Sequence, residues 1–175
     1  QRTVEACGLD LIQLHGDEPP DYCSLFGARR VIKAVSPQTP EEIGRLAAYR
    51  VRAFLADARD AGRYGGTGKR VDWNLAAKLG KLHPLILAGG LDSENIEAAL
   101  AAVAPQAVDI NSGCELAPGI KDHNRMRRII GLIRSGELPG SKVIFATRMK
   151  SQEGLESGAA SEEVPEARHF FHTPH

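Results

Sequence analysis

The sequence predicts an α/β fold built on a parallel sheet. Apolar runs rich in β-formers alternate with helix-like stretches, at Leu11–Leu14, Val31–Val35, Ala53–Ala56, Leu85–Leu87 and Ala107–Ile110. Their starts lie about 20 to 22 residues apart, the repeat of a strand–helix unit. One spacing is about ten residues longer, and the surplus falls between Asp57 and Asp72, where a long loop in a compact domain is commonly functional.

The elements follow in order. Val4-Glu5-Ala6-Cys7-Gly8 reads as the end of a helix, and the first strand follows it. Pro40, Glu41 and Glu42 open a helix reaching about Tyr49, with proline at a first-turn position where its missing N–H costs nothing. Asp72 is placed to cap the helix after the third strand, and Trp73 to anchor it. Asp92-Ser93-Glu94 suits a helix start, and Ile96, Leu100 and Val103 follow at i, i+4, i+7. Met126, Ile129, Ile130 and Ile133 repeat that periodicity in the last helix. Residues 1–135 are therefore one α/β unit. Gly136-Glu137-Leu138-Pro139-Gly140-Ser141 reads as a linker, and the segment 136–175 as linker and disordered tail, with a short strand at Val143–Ala146.

The 175 residues carry 42% hydrophobic and 25% charged side chains, enough for one domain with a real core. Net charge is zero, without the basic excess of a nucleic-acid binder. No apolar run approaches a membrane span. Three cysteines with no CxxC pair argue against a disulfide framework or a zinc site, and for a reducing compartment such as the cytoplasm. Cys7, Cys23 and Cys114 are expected to be small core residues. His169, His172 and His175 share a three-residue spacing in the tail, too little to build a metal site.

Ligands of parallel α/β folds bind at the carboxyl ends of the strands. There the chain places His15-Gly16-Asp17-Glu18, then Ser36 beyond a strand carrying Lys33, then Asp57, Gly89-Gly90-Leu91 and Asn111-Ser112-Gly113. Gly89, Gly90, Ser112 and Gly113 fall in consecutive loops and suit backbone N–H contacts to a phosphate, beyond what tight turns alone require. Asp57 is a candidate general acid or base. His15 suits a substrate contact or a hydrogen bond at the strand end. The glycine-rich stretch Tyr64-Gly65-Gly66-Thr67-Gly68-Lys69 is not a nucleotide P-loop. That pattern needs glycine where Arg63 stands, and serine or threonine where Arg70 stands.

Five motifs in order resemble the phosphoribosylanthranilate isomerase family. They are Leu11-Ile12-Gln13-Leu14-His15-Gly16-Asp17-Glu18, Leu55-Ala56-Asp57-Ala58, Tyr64–Lys69 with Asp72-Trp73, Leu87-Ala88-Gly89-Gly90-Leu91, and Val108–Glu115 with Pro118–Asp122. The resemblance implies a (β/α)8 TIM barrel, of which the chain holds about five units, strands four to eight. It implies an Amadori rearrangement in tryptophan biosynthesis, converting N-(5′-phosphoribosyl)anthranilate to its 1-deoxyribulose 5-phosphate aminoketose. No cofactor and no metal are implied, because the substrate nitrogen is the electron sink. Asp57 matches the family's general acid, and Gly89, Gly90, Ser112 and Gly113 its phosphate loops.

The family's general base is a cysteine in a Lys-Ile-Cys-Gly-like context after the first strand, and Cys7 does not match it. Neither that segment nor the arginine loop for the anthranilate carboxylate is found in these residues. Five strands would leave open edges and exposed apolar surface. The expectation is a fragment that is inactive or nearly so by itself, with a homodimer or an N-terminal piece as candidate partner. A non-enzymatic partial barrel that binds a phosphorylated ligand is the second reading, and a degenerate or mis-assembled reading frame the third.

Overall fold

A computed structural model describes residues 2–57 and 72–135. The linker, the tail with its histidines and Val143–Ala146, and the glycine-rich stretch 64–69 lie outside the described residues.

The element order is α1 (Arg2–Ala6), β1 (Ile12–Leu14), α2 (Pro20–Ser24), β2 (Val31–Val35), α3 (Pro40–Arg45), β3 (Ala53–Ala56), α4 (Trp73–Leu82), β4 (Leu85–Leu87), α5 (Ile96–Val103), β5 (Ala107–Val108), β6 (Glu115–Ala117), β7 (Ile120–Lys121) and α6 (His123–Ser135). Strands β1 to β5 pair in sequence order, all parallel, each joined to the next through a crossover. Three of the five strands have the expected bounds. The fifth is shorter: Asp109 still donates its N–H to the Leu87 carbonyl at 2.9 Å, and the backbone then turns at Asn111.

The ends of the elements follow local chemistry. Thr39 accepts the Glu42 N–H at 3.3 Å and Pro40 opens α3, while the Glu42 carboxylate accepts the Gln38 N–H at 2.8 Å. This reciprocal pattern satisfies donors that the first helical turn leaves open. Asp72 caps α4 as expected, accepting the Asn74 and Leu75 N–H groups at 2.8 and 3.3 Å. Trp73 packs on the core beside it.

The sheet separates two apolar clusters. On the helix side, Phe54, Ala56, Leu85 and Leu87 meet Leu75 and Leu79 of α4 and Ile96, Ala99, Leu100 and Val103 of α5. On the other side, Ile32, Ala34, Ala53, Leu55, Ile86 and Ala88 form a second cluster. The expected exposed sheet surface is absent there, since all six are buried. Three of the six are alanines, which carry little apolar surface. Among the described residues the large exposed apolar side chains are instead Leu9, Tyr22, Leu25, Leu82, Leu116, Ile120 and Ile130. Ile130 thus departs from the expected buried stripe of α6, where Ile129 is buried and Leu132 and Ile133 pack on the core. The outer strands β1 and β5 are three and two residues long, which limits the edge each exposes.

Cys23 on α2 and Cys114 are buried, as expected of small core residues. Burial pushes the Cys23 thiol up, against the opposing pull of the Lys33 charge. Cys7 is exposed, not a core residue. It follows the last residue of α1, a five-residue helix with no buried side chain, so nothing carries it inward.

Candidate active site

Strand alternation sets which side chains share a face. Gln13 pairs with Ile32, so Gln13 and His15 lie on the face of Ile32 and Ala34. Ala53 and Leu55 belong to that same face, and Asp57 continues it. His15 and Asp57 come from strands separated by β2, yet their side chains meet. His15 Nε2 is 3.5 Å from Asp57 Oδ2, with the two side chains 26% and 17% exposed. The intervening strand offers the short Ala34 on that face, which leaves room for the imidazole. Gln13 Nε2 lies 3.5 Å from His15 Nδ1. A Gln13 N–H pointing at Nδ1 and an Nε2–H pointing at Asp57 satisfy both contacts with one tautomer.

Beneath this pair, Lys33 faces the helix side of β2. Its ammonium donates to the carbonyl oxygens of Gly16 and Ala34, both at 2.8 Å, and to Leu14 at a longer 3.4 Å. It also lies 3.2 Å from Glu18 Oε2. Both Glu18 carboxylate oxygens accept the Gly16 N–H, at 3.1 and 3.0 Å. Partial burial works to raise the Glu18 pKa. Backbone hydrogen bonds and the Lys33 charge outweigh it and hold the carboxyl below its ordinary range. A cavity of about 250 Å³ opens beside Gly16, Asp17, Lys33, Ser36, Glu42 and Tyr49.

The two glycine loops also come together. Gly89 and Gly90 have φ of 81° and 68°, a left-handed conformation that favours glycine. Asn95, buried ahead of α5, donates to the Gly90 carbonyl at 2.8 Å and accepts the Asp92 N–H at 3.1 Å. Asp92 accepts the N–H groups of Glu94 and Asn95, so the expected helix start is a capped turn before Ile96. Gly113 packs against the first loop so tightly that a Cβ there would lie 1.8 Å from the Leu91 carbonyl oxygen. On the far side, Lys121 of the β6–β7 hairpin donates to both the backbone and side-chain oxygens of Asn111 and pairs with Glu115 at 2.8 Å.

All six candidate residues therefore fall at the carboxyl ends of the strands. His15 meets Asp57, and the loop of Gly89 and Gly90 meets the loop of Ser112 and Gly113. Asp109 lies two residues beyond Ala107, on the second cluster's face by alternation. The sequence left Lys33, Asn95 and Lys121 without roles. For Lys33 and Asn95 the available signal was a polar residue inside or beside an apolar run, which must find buried partners. Among the described residues, no group of three or more His, Cys, Asp or Glu is placed to hold a metal ion. No described helix is long and apolar enough to cross a membrane.

Comparison with known proteins follows the same residues. The family model for N-(5'phosphoribosyl)anthranilate (PRA) isomerase matches residues 1–131. The chain is 52% identical over 128 residues to the N-(5'-phosphoribosyl)anthranilate isomerase of Syntrophus aciditrophicus (strain SB), covering 73% of this chain and 56% of that one. Against the enzyme of the same name from Geobacter sp. (strain M21), identity is 49% over 129 residues, with 74% and 63% covered. Among solved structures, phosphoribosyl anthranilate isomerase from Thermus thermophilus superposes with a TM-score of 0.64 at 35% identity, covering 77% of this chain and 65% of that one. A phosphoribosyl anthranilate isomerase in complex with reduced 1-(o-carboxyphenylamino)-1-deoxyribulose 5-phosphate gives 0.61 at 31% identity, covering 77% and 64%. The chain thus spans less than two thirds of the length of these relatives.

Proposed function

The chain belongs to the N-(5'-phosphoribosyl)anthranilate isomerase family, and from that membership we propose that it carries the acid and phosphate sides of this isomerisation. The reaction is an Amadori rearrangement in tryptophan biosynthesis. N-(5'-phosphoribosyl)anthranilate opens its furanose ring, and the resulting imine loses its C2 proton on the way to the 1-deoxyribulose 5-phosphate aminoketose. The observation that carries the proposal is the His15–Asp57 contact at the strand ends that also bear two interlocked glycine loops.

Asp57 is the general acid that protonates the ring oxygen. His15 holds one carboxylate oxygen, which leaves the other directed at the substrate, and adds a contact to the substrate itself. Backbone N–H groups around Gly89, Gly90, Ser112 and Gly113 bind the 5'-phosphate. Substrate nitrogen takes up the electrons, so neither metal nor cofactor enters the reading. Cys7, exposed just after α1, lies outside the family's base motif and is not read as the base. No described residue is assigned that role.

By itself the 175-residue chain is proposed to be inactive or nearly so, because proton abstraction without a placed base forfeits about 10²–10⁴-fold. Residues 1–135 form the isomerase unit in this reading, and the free cysteines fit a cytoplasmic setting. A second copy or a complementary N-terminal piece is the proposed partner. The test compares the chain alone with a chimera that joins it to the part of the Syntrophus relative it does not cover. Turnover by the chimera and none by the chain alone is expected. An inactive but folded chimera rejects the assignment, and rapid turnover by the chain alone rejects the need for an outside base.

A further inference from the structure

Among the described residues the buried polar side chains are Lys33 and Asn95, and only Lys33 carries a charge. It is 2% exposed and sits on the helix side of β2, opposite the face of Asp57. It therefore cannot reach a ligand on that face. An ion pair with one buried partner, Lys33, and one 25% exposed, Glu18, is also a poor way to gain stability. Replacing such a pair by apolar groups of similar size is often neutral or favourable, whereas removing one partner is strongly unfavourable. What Lys33 does hold is the backbone on either side of His15.

The carbonyls of Leu14 and Gly16 both point at its ammonium, and the carboxylate beside it fixes the Gly16 N–H from the other direction. Gly16 is pressed so closely on Glu18 that a Cβ would lie 2.9 Å from Oε1. Tyr49 adds a hydroxyl bond to the Glu18 carbonyl at 3.0 Å. The pair thereby holds one polar atom of each peptide group flanking His15, the Leu14 carbonyl and the Gly16 N–H, and the Gly16 carbonyl just beyond. His15 is the residue whose imidazole must reach across β2 to Asp57.

We infer that the Lys33–Glu18 pair is a positioning lock, built behind the sheet, that sets His15 against Asp57. It acts through the backbone of residues 14–16 and touches no substrate. The lock deepens the proposed function, since it rests on reading Asp57 with His15 as the acid side of the site.

The test is nuclear magnetic resonance of the ¹⁵N-histidine-labelled 175-residue chain, with the His15 ring signals assigned by His15→Asn. Asp57→Asn is expected to move these signals. Lys33→Met is expected to displace them as well, and to remove their response to Asp57→Asn. In Lys33→Met/Glu18→Gln, no buried charge is stranded and Gly16 keeps an acceptor. This double variant should regain most of the thermal stability lost in Lys33→Met, while the His15 signals stay displaced. Recovery of the His15 signals together with stability would reduce Lys33 to a structural charge and overturn the lock. A folded Lys33→Met chain with wild-type His15 signals would overturn it directly. Should Lys33→Met not fold, Glu18→Gln alone decides: displaced His15 signals support the lock and unmoved ones reject it. The two readings fail separately. Unmoved His15 signals in Asp57→Asn reject the acid–histidine pairing, whereas unmoved signals in the Lys33 and Glu18 variants reject only the lock.

Discussion

Replacing Gly113 by alanine would place a methyl carbon 1.8 Å from the Leu91 carbonyl oxygen, 2.8 Å from the carbonyl carbon and 3.0 Å from Asp92 Cα. Real Cβ atoms essentially never come within 3.0 Å of another heavy atom, so the two loops must part by about 1.2 Å. All three obstructing atoms are backbone, and no side chain can swing aside to absorb the change. Overpacking typically costs about 1–3 kcal/mol, and a backbone obstruction belongs at the upper end. In a chain of this size each kcal/mol moves the melting temperature by about 2–4 °C, so a fall of about 5–10 °C is expected.

The parting also separates the glycine loops to which phosphate binding is assigned, so affinity for ribose 5-phosphate should fall with stability. Gly131→Ala is the control, because nothing lies within 4 Å of its added Cβ in α6. There the same change should stabilise by about 0.4–1 kcal/mol through the unfolded chain, with ligand binding intact. Calorimetric melting and isothermal titration of both variants decide the matter. A Gly113→Ala chain that melts and binds like the wild type would refute the interlocked-loop argument.

Two further substitutions probe the same fold. Asn95→Ala removes the donor to Gly90 and the acceptor for the Asp92 N–H, and should cost about 1–3 kcal/mol by denaturant titration, with weaker ribose 5-phosphate binding. His83 follows α4, and its ring lies against Phe54 at 5.1 Å. Burial holds its pKa below the ordinary 6.5. The unfolded chain therefore takes up the proton first, and stability is lost as the pH falls below about 6.5. His83→Leu should flatten the melting temperature between about pH 7.5 and pH 5.5, and an unchanged acid-side slope would contradict the burial argument.

The parallel sheet was legible because buried strands make short apolar runs and each crossover needs a helix between them. Val31–Val35, Ala53–Ala56 and Leu85–Leu87 carry no competing signal. The β6–β7 hairpin was not foreseen. Its strands hold three and two residues around Pro118 and Gly119, too few for alternation to register. The burial of Cys7 was misjudged because neighbouring composition does not reveal that a five-residue helix buries nothing.

At the site, glycines and a strand-end aspartate stood out as residue types suited to phosphate and proton chemistry. Lys33 and Asn95 did not, because their partners are mostly main-chain carbonyls and N–H groups. No side-chain pattern records where a carbonyl will point. The same holds for the His15–Asp57 contact. It depends on two strands that flank a third, and so on sheet order and register more than on either local motif.

The most direct measurement of the central claim is steady-state turnover of N-(5'-phosphoribosyl)anthranilate by the chimera and by its Asp57→Asn variant. With Asp57 as the acid, kcat falls by about 10²–10⁴-fold while KM stays within about twofold, since the glycine loops that bind phosphate are untouched. An Asp57→Asn chimera that turns over at the parent rate would remove Asp57 from the chemistry and contradict the account.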